Sequence, residues 1–462
     1  MDEKLISYIK SKKENFISDL KRLVDIKSVR ETAKDGMPFG EGPAAVLKEA
    51  EKIASEHGFS VTNFDNYAGE IQLGENPDLM LLGHLDVVSE GDNWTREPYN
   101  MSVEGDRLYG RGTTDDKGAA LACLYAVEAV RECYGEPDTG VRLVLGCGEE
   151  TGSEDMTYYF SKREKLKYTL SPDADYPLIN LEKGRFAPKF TRKCTSSAVV
   201  EINGGETANI VPGKANALVK NITADRINSL ISEVAEKTGA SYSVTQENGN
   251  VRINCTGVSA HAACPEKGNN ANSALIVLLL SLDINDELTS ALKDIYALIG
   301  HNDTNGKAMG VAMSDEKSGE LSFNFGILKY DGSVLLCGLD LRCPLCADES
   351  NVKQVIKNNI ENIGFNFVGD PKMRKVHYVP ENAEIVKEAL KVYEDYTGLK
   401  GECLAIGGGT YVHGIEGGVA FGIEFPGADY RIHGADEFAV ADELLLTAQM
   451  YAQIIKDICM KG

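Results

Sequence analysis

Two stretches, DLMLLGHLDVV (residues 78–88) and VRLVLGCGEE (141–150), restrict the fold more than any other part of the chain. Each contains an apolar run without the polar–apolar alternation of a strand that has one wet face. Strands of this kind are buried on both faces, as in parallel sheets covered by helices. Apolar residues recur at helical spacing near 3–25 and 43–58, and again in DKGAALACLYAVEAVREC between the two runs. The alternation predicts an α/β unit: a mostly parallel sheet flanked by helices.

Near residue 187 the texture changes. From APKFTRKCTSSAVVEINGG to about residue 380 the chain shows strands, short helices and Gly/Asn turns, which predicts an inserted α+β domain over 187–381, large enough for two lobes. PENAEIVKEALKVYEDYTG restarts helix, and GVAFGIEFPG and ADEFAVADELLLTAQMYAQIIKDI add a strand and a closing helix. Residues 382–462 therefore read as the second part of the domain begun by 1–186. A length of 462 residues exceeds one ordinary core and fits this division.

A formal charge of −22 with no concentrated basic patch argues against a nucleic-acid partner, since such a chain repels phosphate. The first 30 residues mix apolar and charged positions at helical spacing, with no leader pattern, and no apolar run reaches about 18 residues anywhere. A cytoplasmic protein without membrane attachment is expected. Eleven cysteines, an odd number scattered along the chain, read as reduced residues rather than a disulfide framework. Cys343 and Cys346 form a lone C-x-x-C that lacks the second half of a structural zinc site.

Polar residues gather where the strands end. GHLD supplies His84 and Asp86, GRGTTDDKG supplies Asp115 and Asp116, GCGEETG supplies Glu149 and Glu150, SPDAD supplies Asp173, and RIHGADE supplies His433. In open α/β sheets that edge is where ligands bind. Two imidazoles with three or more carboxylates suit a pair of divalent ions that share a bridging carboxylate. On an extended backbone neighbouring side chains diverge, so one glutamate of the 149–150 pair can ligate while the other faces a water as general base. His84 and Asp86 share a strand face, which predicts Asp86 accepting the second ring N–H of His84 rather than ligating. Taken singly, these are a strand-end histidine, a surface acidic pair and a helix-starting turn; only the set points to metal chemistry.

The order G-H-x-D, G-R-G-x-x-D-D-K-G, E-E-x-G, S-P-D-A and H-G-A-D-E resembles the co-catalytic metallopeptidase family of aminoacylases, glutamate carboxypeptidase, desuccinylases and bacterial dipeptidases, over residues 84–437. Within it, YGRGTTDDKG, SPDADYP and GGGTY are most similar to the carnosinase-like bacterial dipeptidases. The resemblance implies a hydrolase-like catalytic domain with an inserted lid. It also implies two divalent ions, zinc with manganese or cobalt as alternatives, bridged by Asp115. His84 and Asp173 complete one site, Glu150 and His433 the other, and Glu149 becomes the general base, with Asp86 beside His84 and a cis Asp115–Asp116 peptide. VSAHAACPEKGNNA looks like the family's lid motif, in which His261 meets the oxyanion. Asn209 of ANIVPG, Arg342 of LDLRCP, and Gly408, Gly409 and Thr410 of GGGTY resemble substrate contacts. That glycine loop lacks the lysine of a phosphate-binding loop.

The implied reaction is hydrolysis of a dipeptide with free amino and carboxyl ends. Relatives with a shorter lid dimerise to share the lid histidine; the longer insert here implies a monomer, which sedimentation tests. A deacylase or desuccinylase acting on N-acyl amino acids, a non-catalytic metal- or peptide-binding protein, and a redox protein using Cys343 and Cys346 are the competing readings. Cys343 beside Arg342, and Cys264 inside the His261 loop, depart from the family pattern.

Overall fold

A computed structural model describes residues 1–460. The chain forms two compact units: the first takes residues 1–181, 377–404 and 409–462, the second 182–376 and 405–408.

The first unit is a mixed sheet between helices. Its strands include β1 (Val61–Phe64), β2 (Ala68–Leu73), β3 (Leu79–His84), β4 (Val141–Gly146) and β5 (Tyr168–Ser171). They lie in the order β1-β2-β4-β3-β5, continuing through Gly418–Ala420 and Leu178–Glu182 to His377–Tyr378. The centre is parallel, β3 pairing with both β4 and β5, and Gly418–Ala420 with β5. The β1/β2/β4 side is antiparallel. Every residue of β3, β4 and β5 is buried, which is why these runs carry no polar alternation.

The helices that precede or connect these strands include α1 (Glu3–Ser11), α2 (Lys13–Val24), α3 (Glu41–Glu56) and α4 (Lys117–Tyr134). The helix expected over 3–25 is thus two helices, broken at Lys12, whose φ/ψ of −97° and 6° leave the α region. The break lets Leu5 and Ile9 of α1, and Phe16, Leu20 and Leu23 of α2, each bury their own apolar stripe in one core. Helix α4 and the closing helix Ala441–Cys459 are buried almost all round, and both belong to that core.

The second unit begins earlier than the change of texture at 187. Strand β6 (Gly184–Phe186) pairs antiparallel with β10 (Val334–Cys343), so residues before 187 are hydrogen-bonded into this unit. Its other elements include β7 (Ile210–Val211), β8 (Ala260–His261) and β9 (Ser322–Tyr330). The two lobes anticipated for the insert are joined: one sheet runs through the unit, and one apolar cluster from Phe186 to Phe365 fills it. Among the described residues no helix is long and apolar enough to cross a membrane.

Candidate metal centre

His84 ends β3, Glu149 and Glu150 follow β4, Asp173 follows β5, and Asp115 lies in the loop that opens α4. Parallel neighbours end on the same edge of a sheet, so these side chains converge from distant parts of the chain. Asp115 stands in the middle. Its Oδ1 is 3.1 Å from His84 Nε2 and its Oδ2 is 2.9 Å from His433 Nε2. His84 Nε2 also lies 3.6 Å from Asp173 Oδ2, and His433 Nε2 lies 3.3 Å from Glu150 Oε1. Candidate ligand atoms fall into two groups, His84 with Glu149 and Asp173, and His84 with Asp115 and Glu150, each within 4.8 Å.

The backbone of the glutamate pair is not extended. Residues 149–151 make one turn of 3-10 helix, in which three residues per turn set neighbouring side chains about 120° apart. Divergence therefore comes from the turn, and Glu149 and Glu150 enter different ligand groups. The cause is Asp86: its Oδ1 accepts the amide N–H of Glu149 at 3.2 Å and its Oδ2 that of Glu150 at 3.1 Å. The expected contact from the Asp86 carboxylate to His84 is correspondingly loose at 3.5 Å. It is the Asp86 main-chain oxygen, 3.0 Å from Nδ1, that takes the second ring nitrogen of His84.

Burial, together with neighbouring carboxylates, drives the Glu149 carboxyl well above the usual carboxylate range and raises Glu150 and Asp173. Burial works against a charged imidazole, yet Asp115, Asp173 and Asp86 hold His84 well above its ordinary value. His433, pressed by Asp115 and Glu150, is pushed up to about 11 despite its burial. The cluster thus concentrates negative charge, and buried His84 Nε2 has no aligned hydrogen-bond partner. Oxygen and imidazole donors at these separations, with an orphaned buried nitrogen at their centre, fit a pair of divalent cations.

The second unit gathers the other candidate residues. Ile210 of β7 pairs with His261 of β8, and the amide of Ala262 donates to the Asn209 carbonyl at 2.9 Å. Buried Asn324 clamps the Asn209 segment from below, its Nδ2 donating to the carbonyls of Ala208 (2.8 Å) and Ile210 (2.9 Å). The Ala263 amide donates to His261 Nδ1 at 3.3 Å, so the neutral ring carries its proton on Nε2. Arg342 is buried rather than on the surface, with Nε on Asp340 Oδ1 (2.6 Å) and Nη1 on the Gly407 carbonyl (2.6 Å). Gly407 has no room for a side chain, since a Cβ would stand 2.7 Å from that of Ala263. Gly408 and Gly409 follow Gly407 on the chain, and Thr410 is buried. Cys343 is buried and Cys346 exposed, both as free thiols.

The sequence signature of peptidase family M20/M25/M40 matches residues 80–457. The chain belongs to this family. YtjP of Bacillus subtilis (strain 168) is 34% identical over 460 residues, covering 97% of this chain and 98% of that protein. The Beta-Ala-Xaa dipeptidase of Lactobacillus delbrueckii subsp. lactis is 31% identical over 478 residues, 99% of either chain. Human carnosine dipeptidase 1, at 16% identity, shares the fold with a TM-score of 0.59 over 98% of this chain and 97% of its own.

This M20/M25/M40 chain supports its centre with further residues, some of them inside the motifs that carry the ligands. Glu437 Oε1 accepts the amides of Gly112, Thr114 and Asp115 at 3.1, 3.2 and 3.3 Å, and Oε2 takes Arg111 Nη1 at 2.6 Å. Arg111 also reaches the Gly434 carbonyl at 3.1 Å, so this fully buried pair ties the Asp115 loop to the His433 loop. Asp155 accepts the amides of Cys147 and Gly148, each at 2.7 Å, and the Tyr411 hydroxyl, and burial pushes its carboxyl up to about 6. Asp116, joined to Asp115 by a cis peptide, accepts the His84 amide at 2.9 Å. Gly83 allows that approach, because a Cβ there would stand 2.8 Å from Ala120 and 2.9 Å from Asp116 Oδ2. The only sequence signal for Glu437 is its place four residues after His433 in RIHGADE.

Proposed function

We propose that the protein is a metal-dependent dipeptidase acting on dipeptides with free amino and carboxyl ends, as a cytoplasmic monomer. The observation that carries this is the convergence of His84, Asp115, Glu150, Asp173 and His433, with Glu149 at the edge of the same cluster. Similarity over almost the whole chain to a Beta-Ala-Xaa dipeptidase supports the substrate class.

In this reading His84, Asp115, Glu150, Asp173 and His433 would hold two divalent cations, His84 with Asp173 and Glu150 with His433, Asp115 being shared by both sets. The ligands suit zinc, with manganese or cobalt as alternatives. When bound, the cations polarise the scissile carbonyl and make water at the centre more acidic. Glu149 takes the proton from the attacking water and delivers it to the leaving amine. Asp86 sets the direction of both glutamates through their amides and fixes the His84 ring through its own carbonyl. His261, whose neutral ring carries its proton on Nε2, would donate to the oxyanion, a contribution of about 3–4 kcal/mol in comparable oxyanion holes. Asn209, Arg342, Gly408, Gly409 and Thr410 bind the substrate's polar ends.

The test is hydrolysis of a dipeptide panel alongside the N-acetyl forms. Cleavage of free dipeptides is expected, lost with a chelator and recovered with zinc, manganese or cobalt. Preferential cleavage of the acetylated forms would replace this reading with a deacylase.

A further inference from the structure

His433 reaches the metal centre from a loop whose shape runs against the preference of its own residues. Between residues 431 and 436, Arg431, His433 and Asp436 all adopt the left-handed conformation, with φ of 57°, 60° and 56°. Residues with a Cβ disfavour that region, so such a run persists only where its surroundings impose it. Packing on the ring is not the cause, because the His433 side chain is 53% exposed. Its Nε2 nevertheless stands 2.9 Å from Asp115 Oδ2 and 3.3 Å from Glu150 Oε1.

The feet of the loop are fixed. The amide of Phe438 donates to the Tyr430 carbonyl at 3.1 Å, and both rings join that of Tyr109 in a small apolar cluster. Beyond the feet, the loop is held by residues 89–96, a segment with neither helix nor strand. Asp436, 5% exposed, takes both donors of Thr95: Oδ1 accepts the amide at 2.9 Å and Oδ2 the hydroxyl at 2.8 Å. Arg96 and Arg431 flank Oδ2 with their Nη1 atoms at 3.7 and 3.8 Å. Thr95 is itself anchored by its neighbours. Arg96 grips Glu104 through Nε (3.0 Å) and Nη2 (2.8 Å) and lies 3.8 Å from the centroid of the Tyr109 ring. Trp94 Nε1 donates to the Glu90 carbonyl at 2.6 Å.

A carboxylate that accepts two hydrogen bonds from one anchored residue fixes position as well as distance. Here it fixes the backbone three residues from the imidazole. Glu437, next along the chain, is committed to the amides of the Asp115 loop, so the two acids tie the His433 loop to different neighbours. We propose that Asp436 is a positioning residue: through Thr95 it holds the left-handed loop in the shape that aims His433 at Asp115 and Glu150, and so sets the affinity of the cation bound there. This role rests on the proposed reading of His433 as a metal ligand.

The test measures zinc binding by the full chain, stripped with a chelator and dialysed, with calorimetry for affinity and elemental analysis to count the ions. Two cations are expected for the unaltered protein and one for His433→Ala. Asp436→Ala should weaken one of the two by about 10- to 100-fold, the usual cost of removing a ligand's support, and leave the other unchanged. Thr95→Val, which alters no charge, should weaken the same cation. Thr95→Ser keeps the hydroxyl, and Asp436→Asn can accept from the Thr95 amide and donate to its hydroxyl, so both should retain near-normal affinity. In the double variant His433→Ala/Asp436→Ala the remaining cation should bind as in His433→Ala alone, because the support has no ligand left to aim. Unchanged zinc affinity in both Asp436→Ala and Thr95→Val, or equal weakening of both cations, would overturn the proposal. Retention of two cations by His433→Ala would overturn the reading of His433 as a ligand, and the proposal with it.

Discussion

Glu149 and Glu150 show how much one side chain's work depends on a neighbour's main chain. Adjacent carboxylates repel, and they separate here because Asp86 collects both of their amides and bends residues 149–151 into a turn. If Glu149 is the base, Glu149→Gln keeps the shape and removes the proton acceptor. Turnover should fall by about 10² to 10⁴, the usual share of general acid–base catalysis, while elemental analysis still finds the cations bound. Full turnover in that variant would assign the proton transfer elsewhere. The identity of these glutamates is legible in GCGEETG, whereas the turn is not. An extended strand end was the simplest reading, and only the position of Asp86, 63 residues earlier, bends it.

Between elements, a fully buried link at the centre is the Arg111–Glu437 pair. It joins the loop before α4 to the loop before the closing helix, across 326 residues of sequence, and both side chains are excluded from water. Removing one member of a buried, hydrogen-bonded pair leaves the other charge stranded, at a cost of about 3–5 kcal/mol. Glu437→Ala should lower stability by that amount in urea denaturation and also weaken cation binding, because the amide of Asp115 loses its acceptor. Wild-type stability in the variant would show that the pair carries no such load. The strands themselves were readable, since unalternating apolar runs permit little besides a doubly covered sheet. Pairings such as Arg185 with Arg342 were not, because register depends on how far each strand is offset from its neighbour.

For the whole molecule, stability should respond to pH through a group remote from the metal centre. His57, at the end of α3, lies 2.9 Å from Asp19 of α2 and 3.0 Å from Glu128 of α4. The hydrogen bond to Asp19 and the charge of Glu128 outweigh burial and raise its pKa from 6.5 to about 9. A pKa raised by folding adds stability that is complete below the unfolded value of 6.5 and lost as pH climbs through 9. The loss should be on the order of 2–3 kcal/mol across that window. Denaturation midpoints measured between pH 6 and pH 10 check it, and His57→Gln should flatten this part of the profile; an unchanged profile in that variant would exclude His57 as the cause.

By itself the sequence determined the α/β class, the family and the short list of imidazoles and carboxylates at strand ends, because period, burial and motif order are local properties. Tertiary structure alone decided that Asp115 stands between His84 and His433, that Asp86 works mainly through backbone groups, and that a single buried carboxylate, Asp340, orients two arginines. These depend on distances between groups far apart in the chain. Strand offset and loop closure set such distances, and residue spacing does not encode them.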